Sequence, residues 1–245
     1  MSLSDHPQEQ PDLASSTDEY ARRFAGAVGA YFLEVQWQTL VQLLPENRKN
    51  MRILDVGGGH AQLAKPLVAE GCDVTVLGSD ASCIPRLDRE VGEGAYRFIC
   101  GDLLSLPVDD NSYDIVLAFR LLPHLNSWQR FLGEITRVAR DCVVFDYPDL
   151  RSVNWFGNQM FAAKSMVEEN TRRFRCFGSS DVMNELTSNN VKQIELRRQF
   201  LFPMALHRVM KFALLSRALE STARTFRLTA LFGSPVIVKG SFIDD

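Results

Sequence analysis

The stretch "ILDVGGGHAQLA" at 53–64 sets an aspartate, Asp55, and the glycines Gly57 and Gly59 where an apolar run gives way to a helical pattern. Glycine lets a ligand approach the backbone with no Cβ between them. The start of a helix adds free N–H groups. A tight strand-to-helix turn would also need glycine, so this stretch alone does not decide for a ligand.

Two further carboxylates close later apolar runs. Asp80 ends "VTVLGSD" and Asp102 opens "GDLLSLP". An ionised aspartate only accepts hydrogen bonds, so Asp80 suits the two hydroxyls of a ribose and Asp102 the exocyclic amine of adenine. A dinucleotide fingerprint, G-x-G-x-x-G, needs a glycine where Gln62 stands, and a G-x-x-x-x-G-K-S/T phosphate loop is missing. The pattern therefore points to an adenosine ligand without a pyrophosphate. His124, in "LLPHL", follows a strand at the same end and could serve as a general base near neutral pH. A role in holding its loop is the alternative. Asp146 in "CVVFDY" is a second choice of base, and His60 belongs to the helix start.

Such residues share a rim only if the elements beneath them alternate. Strands are expected at 51–56, 73–77, 96–100, 113–119, 142–147, 191–202 and 234–242. Helices are expected from Asp18 to 45 (divided near Gly26 and Gly29), at 60–70, 82–90, 127–139, 154–169, 179–189 and 205–226. The fold class is α/β: a doubly wound, mostly parallel, seven-stranded sheet with helices on both faces. Ligands of such sheets sit outside the carboxyl ends of the strands. The insertions 148–178 and 203–233 leave that side and read as helical lids. The first brings Trp155, Phe156, Met160 and Phe161, which could pack the lid or line an apolar pocket.

A chain of 245 residues with net charge -3 suits one domain, here 17–245, behind a polar tail at 1–16 expected to be disordered. No nucleic-acid partner is expected. The five cysteines form no C-x-x-C pair, so neither a metal site nor a disulfide framework is expected. The first residues lack the pattern of a signal peptide, and the expected location is the cytoplasm. Between 197 and 227 seven basic residues face a single acid, Glu220. That balance fits an anionic acceptor, and it leaves peripheral membrane contact open. As one continuous helix, however, 205–226 would set Arg208 and Lys211 opposite Arg217 and Arg224.

Taken together, "ILDVGGGHAQLA", "VTVLGSDAS" and "GDLLSLPVDDNSYDIVLAFRLLPHL" resemble the motifs of class I S-adenosylmethionine-dependent methyltransferases, in the branch acting on small molecules. The match covers roughly 51–147. Ala61 stands at the motif's third glycine. The resemblance implies a Rossmann-like methyltransferase fold with S-adenosylmethionine as cofactor. It implies that Asp55, Gly57 and Gly59 hold the methionine end, Asp80 the ribose, and Asp102 with Leu103 the adenine. Phe119 would lie near the methionine portion, with Tyr20 and Arg23 reaching its carboxylate. Methyl transfer to a small, partly apolar acceptor follows, with oxygen favoured as the acceptor atom. A nicotinamide-dependent oxidoreductase and a cofactor-binding module without turnover are the alternatives.

Overall fold

A computed structural model of the chain describes residues 9–152, 174–210 and 212–242. The strands are β1 (Arg52–Val56), β2 (Asp73–Gly78), β3 (Arg97–Cys100), β4 (Tyr113–Ala118), β5 (Ala139–Tyr147), β6 (Gln193–Phe200) and β7 (Ser234–Ser241). They form one sheet in the order β3-β2-β1-β4-β5-β7-β6. β1 to β5 run parallel, and β7 is antiparallel to both β5 and β6. β6 therefore points the same way as β1 to β5, so the segment after it emerges at the carboxyl edge, as expected.

Alternation along the strands divides the interior into two layers. Leu54, Val56, Val116, Val143 and Phe145 face one side, where α6 (Trp128–Val138) and α7 (Ser179–Ser188) pack. Ile53, Val74, Ile115, Leu117 and Val144 face the other. There α3 (Gly26–Leu43), α4 (Ala64–Ala69) and α5 (Ile84–Glu90) cover them. The N-terminal half of α3 overhangs the sheet, where Tyr31 and Phe32 pack on Phe200 of β6.

Three expectations are corrected. The tail 1–16 is not disordered throughout. Pro11–Ser15 is a helix, α1, followed by α2 (Asp18–Arg22), and Asp12 and Ser15 are buried. Its polar composition hid a docking surface that works through hydrogen bonds. The helix expected from Asp18 is divided between Arg22 and Gly26 alone, and Gly29 lies within α3. The helix expected at 205–226 is instead α8 (Met204–Met210) and α9 (Ala213–Thr225), with α10 (Leu228–Phe232) following. Extended backbone at Phe212 and left-handed backbone at Arg227 set the breaks around α9. The aromatics expected at 155–161 lie outside the described residues.

Candidate active site

Register aligns the candidate residues. Val56, Leu77 and Ile99 form one row across β1, β2 and β3. Gly59, Asp80 and Asp102 each stand three positions beyond that row, on three adjacent strand ends. The turn is locked by the Gly57 N–H, which donates to Leu77 O at 2.7 Å.

Gly57 has φ +71°, which side-chain-bearing residues rarely adopt, and a Cβ there would meet Leu121 Cδ1 at 2.5 Å. At Gly59 a Cβ would meet Ser16 Oγ at 2.4 Å and Cys83 Cβ at 2.7 Å. The turn is thus as tight as the sequence implies, and part of what crowds it is the segment just after α1.

Asp55 is fully buried beneath this turn, and neither carboxylate oxygen has a hydrogen-bond partner among the described residues. Burial alone pushes its pKa up to about 7. A buried acceptor with no donor is costly, and in native proteins it calls for an explanation such as a ligand. His60 is also buried, with Nε2 unpartnered. Burial, then Arg120 and Arg86, lowers its pKa to about 3, so the ring is neutral. It serves the turn, accepting the Gln62 N–H at Nδ1.

Asp80 is exposed, and its Oδ1 accepts the Ser82 N–H at 2.8 Å. Its pKa is lowered by hydrogen bonding from the Ser82 side chain and then from the Ser82 N–H. Asp102 is half-buried and accepts the Leu104 N–H at 2.9 Å. Leu103 and Phe119 differ from these two, because both side chains are buried in the apolar layers. Tyr20 is half-buried, and the exposed Arg23 sets its guanidinium 5.1 Å from the Tyr20 ring.

Sequence reasoning missed the residue that ties this edge together. Arg120, just beyond β4, has φ 62°. Its N–H donates to Asp146 Oδ1 at 2.6 Å, and its guanidinium donates to Gln62 Oε1 and, at 2.6 Å, to Gln36 Oε1. The same group lies 4.0 Å from the Phe24 ring. No carboxylate forms a salt bridge with it among the described residues. Arginine directly after Phe119, at a strand's carboxyl end, was the available signal. Asp146 is buried with a raised pKa, chiefly through burial, and it anchors Arg120. His124 closes a short turn at Leu122–His124, with its ring 5.7 Å from Phe174.

The N-terminal segment crosses the same edge. Glu9 accepts the Asn126 and Ser127 N–H groups at the start of α6. Asp12 accepts the Ser79 N–H at 2.7 Å and the Ser79 hydroxyl at 2.5 Å. One cleft, of about 440 Å³, lies between α6 and α7, lined by Trp128, Arg175, Phe177 and Asp181 among others. It shares no residue with the glycine turn.

Residues 54–143 match a family model described as a methyltransferase domain. The phthiotriol/phenolphthiotriol dimycocerosates methyltransferase of Mycobacterium leprae is 29% identical over 158 residues, covering 61% of this chain and 56% of that protein. Its Mycobacterium tuberculosis counterpart is 45% identical over 108 residues, covering 40% and 36%. The chain thus matches just over half of one curated relative's length and about a third of the other's. Among solved structures, a methyltransferase of Thermotoga maritima described as a possible histamine N-methyltransferase has TM-score 0.64 at 17% identity, covering 92% and 95% of the two chains. The magnesium protoporphyrin IX methyltransferase of Synechocystis PCC 6803, with S-adenosylmethionine bound, has TM-score 0.62 at 13% identity, covering 98% and 99%. At such identities these two likenesses speak for the fold alone.

Proposed function

We propose that the chain is a class I S-adenosylmethionine-dependent methyltransferase that methylates a small, partly apolar acceptor, at oxygen, by direct in-line displacement; the methyltransferase-domain match over 54–143 supports that reading. The observation that carries this reading is that Gly59, Asp80 and Asp102 each follow one register row by three positions, on three adjacent strand ends, above Asp55, whose carboxylate has no hydrogen-bond partner among the described residues.

The residues present fit the cofactor. Its amino-acid portion carries one ammonium and one carboxylate. Among the described residues, Asp55 offers a carboxylate without a donor, and Arg120 a guanidinium held by amides and a ring. Asp80 lies exposed at its strand end for a ribose, and Asp102 stands at the neighbouring strand end for adenine. Tyr20 and Arg23 adjoin Phe24, the ring beneath Arg120. When bound, S-adenosylmethionine supplies a methyl group already activated on a sulfonium, so alignment and dryness supply much of the rate. Asp146 contributes by fixing the backbone of Arg120. His124 is the group assigned to take the proton of an acceptor hydroxyl.

An anionic group on the acceptor is supported by three cations on separate elements. Partial burial, then repulsion from Arg23 and, more weakly, Arg120, lowers the pKa of Arg208. A carboxylate or phosphate among them would relieve that repulsion. Oxygen as acceptor atom is in keeping with one relative, the malonyl-[acyl-carrier protein] O-methyltransferase of Pectobacterium atrosepticum, 29% identical over 125 residues.

Calorimetric titration with S-adenosylmethionine, run beside NADH, tests the cofactor; absence of heat with the former overturns the reading. Labelled methyl donor added to metabolite extracts then tests turnover, and binding without any labelled product leaves a cofactor-binding module. His124→Asn should lower turnover about a hundredfold or more, the low end for a general base, with cofactor affinity unchanged. Full turnover in that variant removes His124 from the mechanism.

A further inference from the structure

The helices after β6 are built inside out. In α9 the residues turned inward are Ser216, Glu220 and Ala223, all buried, while Leu214 is 83% exposed. In α8 the buried residue is His207, and Val209 is 78% exposed. Phe212, between them, is 70% exposed. Of the twelve large apolar side chains exposed among the described residues, nine fall between Leu206 and Phe232. Ordinary surface helices turn such residues toward the core, and a dense exposed apolar patch marks an interaction site.

Charge says which partner it fits. The only carboxylate in 203–233 is Glu220, which is fully buried, where it accepts the Leu201 and Phe202 N–H groups and meets His207 Nε2. The surface of this segment therefore offers no anion of its own; Arg217 pairs with Glu34 of α3, whereas Arg208, Arg224 and Arg227 have no carboxylate partner among the described residues, on a chain whose net charge is -3. The objection that Arg208 and Arg217 lie on opposite sides of one helix falls away, since the two residues belong to different helices. No helix among the described residues is long and apolar enough to cross a membrane, so contact would be from one side. Apolar side chains beside unopposed cations are the composition of segments that seat in the interface of an anionic bilayer.

We propose that the α8–α9 corner, with Val209, Phe212 and Leu214 exposed on it, docks the protein on anionic lipid bilayers. The apolar tip enters the acyl boundary and the arginines meet headgroup phosphates. The proposal does not depend on what the enzyme methylates.

Sedimentation of the full chain with vesicles tests it, using phosphatidylcholine alone and phosphatidylcholine mixed with phosphatidylglycerol. The chain should pellet with the mixed vesicles and weakly or not at all with the neutral ones. High salt should reduce the pelleting by screening the charges. Combined Phe212→Asp and Leu214→Asp should lower the partition coefficient about tenfold or more, because charge at the tip opposes entry into the acyl boundary. Melting temperature should be unchanged, since both side chains are exposed. Val209→Ser with Leu214→Ser, which adds no charge, should lower partition to a smaller extent. Absence of pelleting with the mixed vesicles, or pelleting indifferent to both double variants, overturns the proposal. A dimer in sedimentation velocity that the same variants dissolve, without vesicle binding, would assign the corner to self-association instead.

Discussion

The two halves of the carboxyl edge obey opposite rules. Over β1 to β4 apolar side chains point into the sheet layers, and the polar ones gather at the strand ends around the glycine turn. Over β6 the helices bury His207, Ser216 and Glu220 and leave leucines and phenylalanines outside. The first arrangement is ordinary burial, and its polar rim suits a small polar ligand. In the second, the inward fit is polar and the outward face apolar. That combination serves a partner larger than a ligand.

The inversion can be broken at one residue. Glu220 accepts the Leu201 N–H at 2.9 Å and the part-buried Phe202 N–H at 3.0 Å, and it contacts the buried His207 at Nε2, 3.0 Å away. Glu220→Ala should cost about 3–5 kcal/mol, because it strands two amides and a histidine at once. Urea unfolding measures it. A loss under about 1 kcal/mol would mean that apolar packing, through Tyr31, Phe32 and Phe200, holds these helices without the polar cluster.

The sequence is uneven in what it discloses, and the same two halves explain why. In the glycine-turn half, each strand buries side chains on both faces, so near-continuous apolar runs mark it, and its carboxylates fall where those runs end. The seven strands, their sense up to β5 and the positions of Asp55, Gly57, Asp80 and Asp102 were readable on that basis. Arg120 was not, since its importance lies in Gln36, Gln62, Phe24 and Asp146, which are distant in sequence. Asp12 was hidden for the same reason, because its partner Ser79 is 67 positions away. The helices after β6 read as one in the sequence because periodicity sees amphipathic turns but not the extended backbone at Phe212. Periodicity also assumes that the apolar face is the buried one, which α9 contradicts.

Asp55 sharpens the contrast from the glycine-turn side. Its folded pKa of about 7 lies above the ordinary aspartate value, so the folded state holds a proton the unfolded chain has given up. Stability from this group is full below about pH 4, the unfolded pKa, and declines as pH rises toward 7. Asp55→Asn removes that slope. The gap between variant and wild type in urea midpoint should therefore widen in the variant's favour from pH 5 to 7 and then level off. A constant gap would mean that the carboxylate has donors in solution. Asp12→Ala comes next in size. It should cost about 1–3 kcal/mol by leaving the Ser79 N–H and hydroxyl without their acceptor. An unchanged midpoint would show that α1 contributes nothing to folding.

Asp80 gives the smallest effect and the cleanest separation between fold and site. Its side chain is exposed and its hydrogen bonds are local ones to the turn it caps, at Ser82 and Ala81, so little of the fold depends on it. Asp80→Asn keeps an oxygen for that cap but replaces the remaining acceptor with a donor. A ribose hydroxyl facing it would lose its acceptor. S-adenosylmethionine affinity should then fall roughly tenfold, about the worth of one hydrogen bond to a charged group, while the urea midpoint stays put. Calorimetry on the two proteins side by side reads both quantities. Equal affinity would move the ribose away from β2. The neighbouring acceptor on the same rim is then Asp102, and Asp102→Asn would show the loss instead.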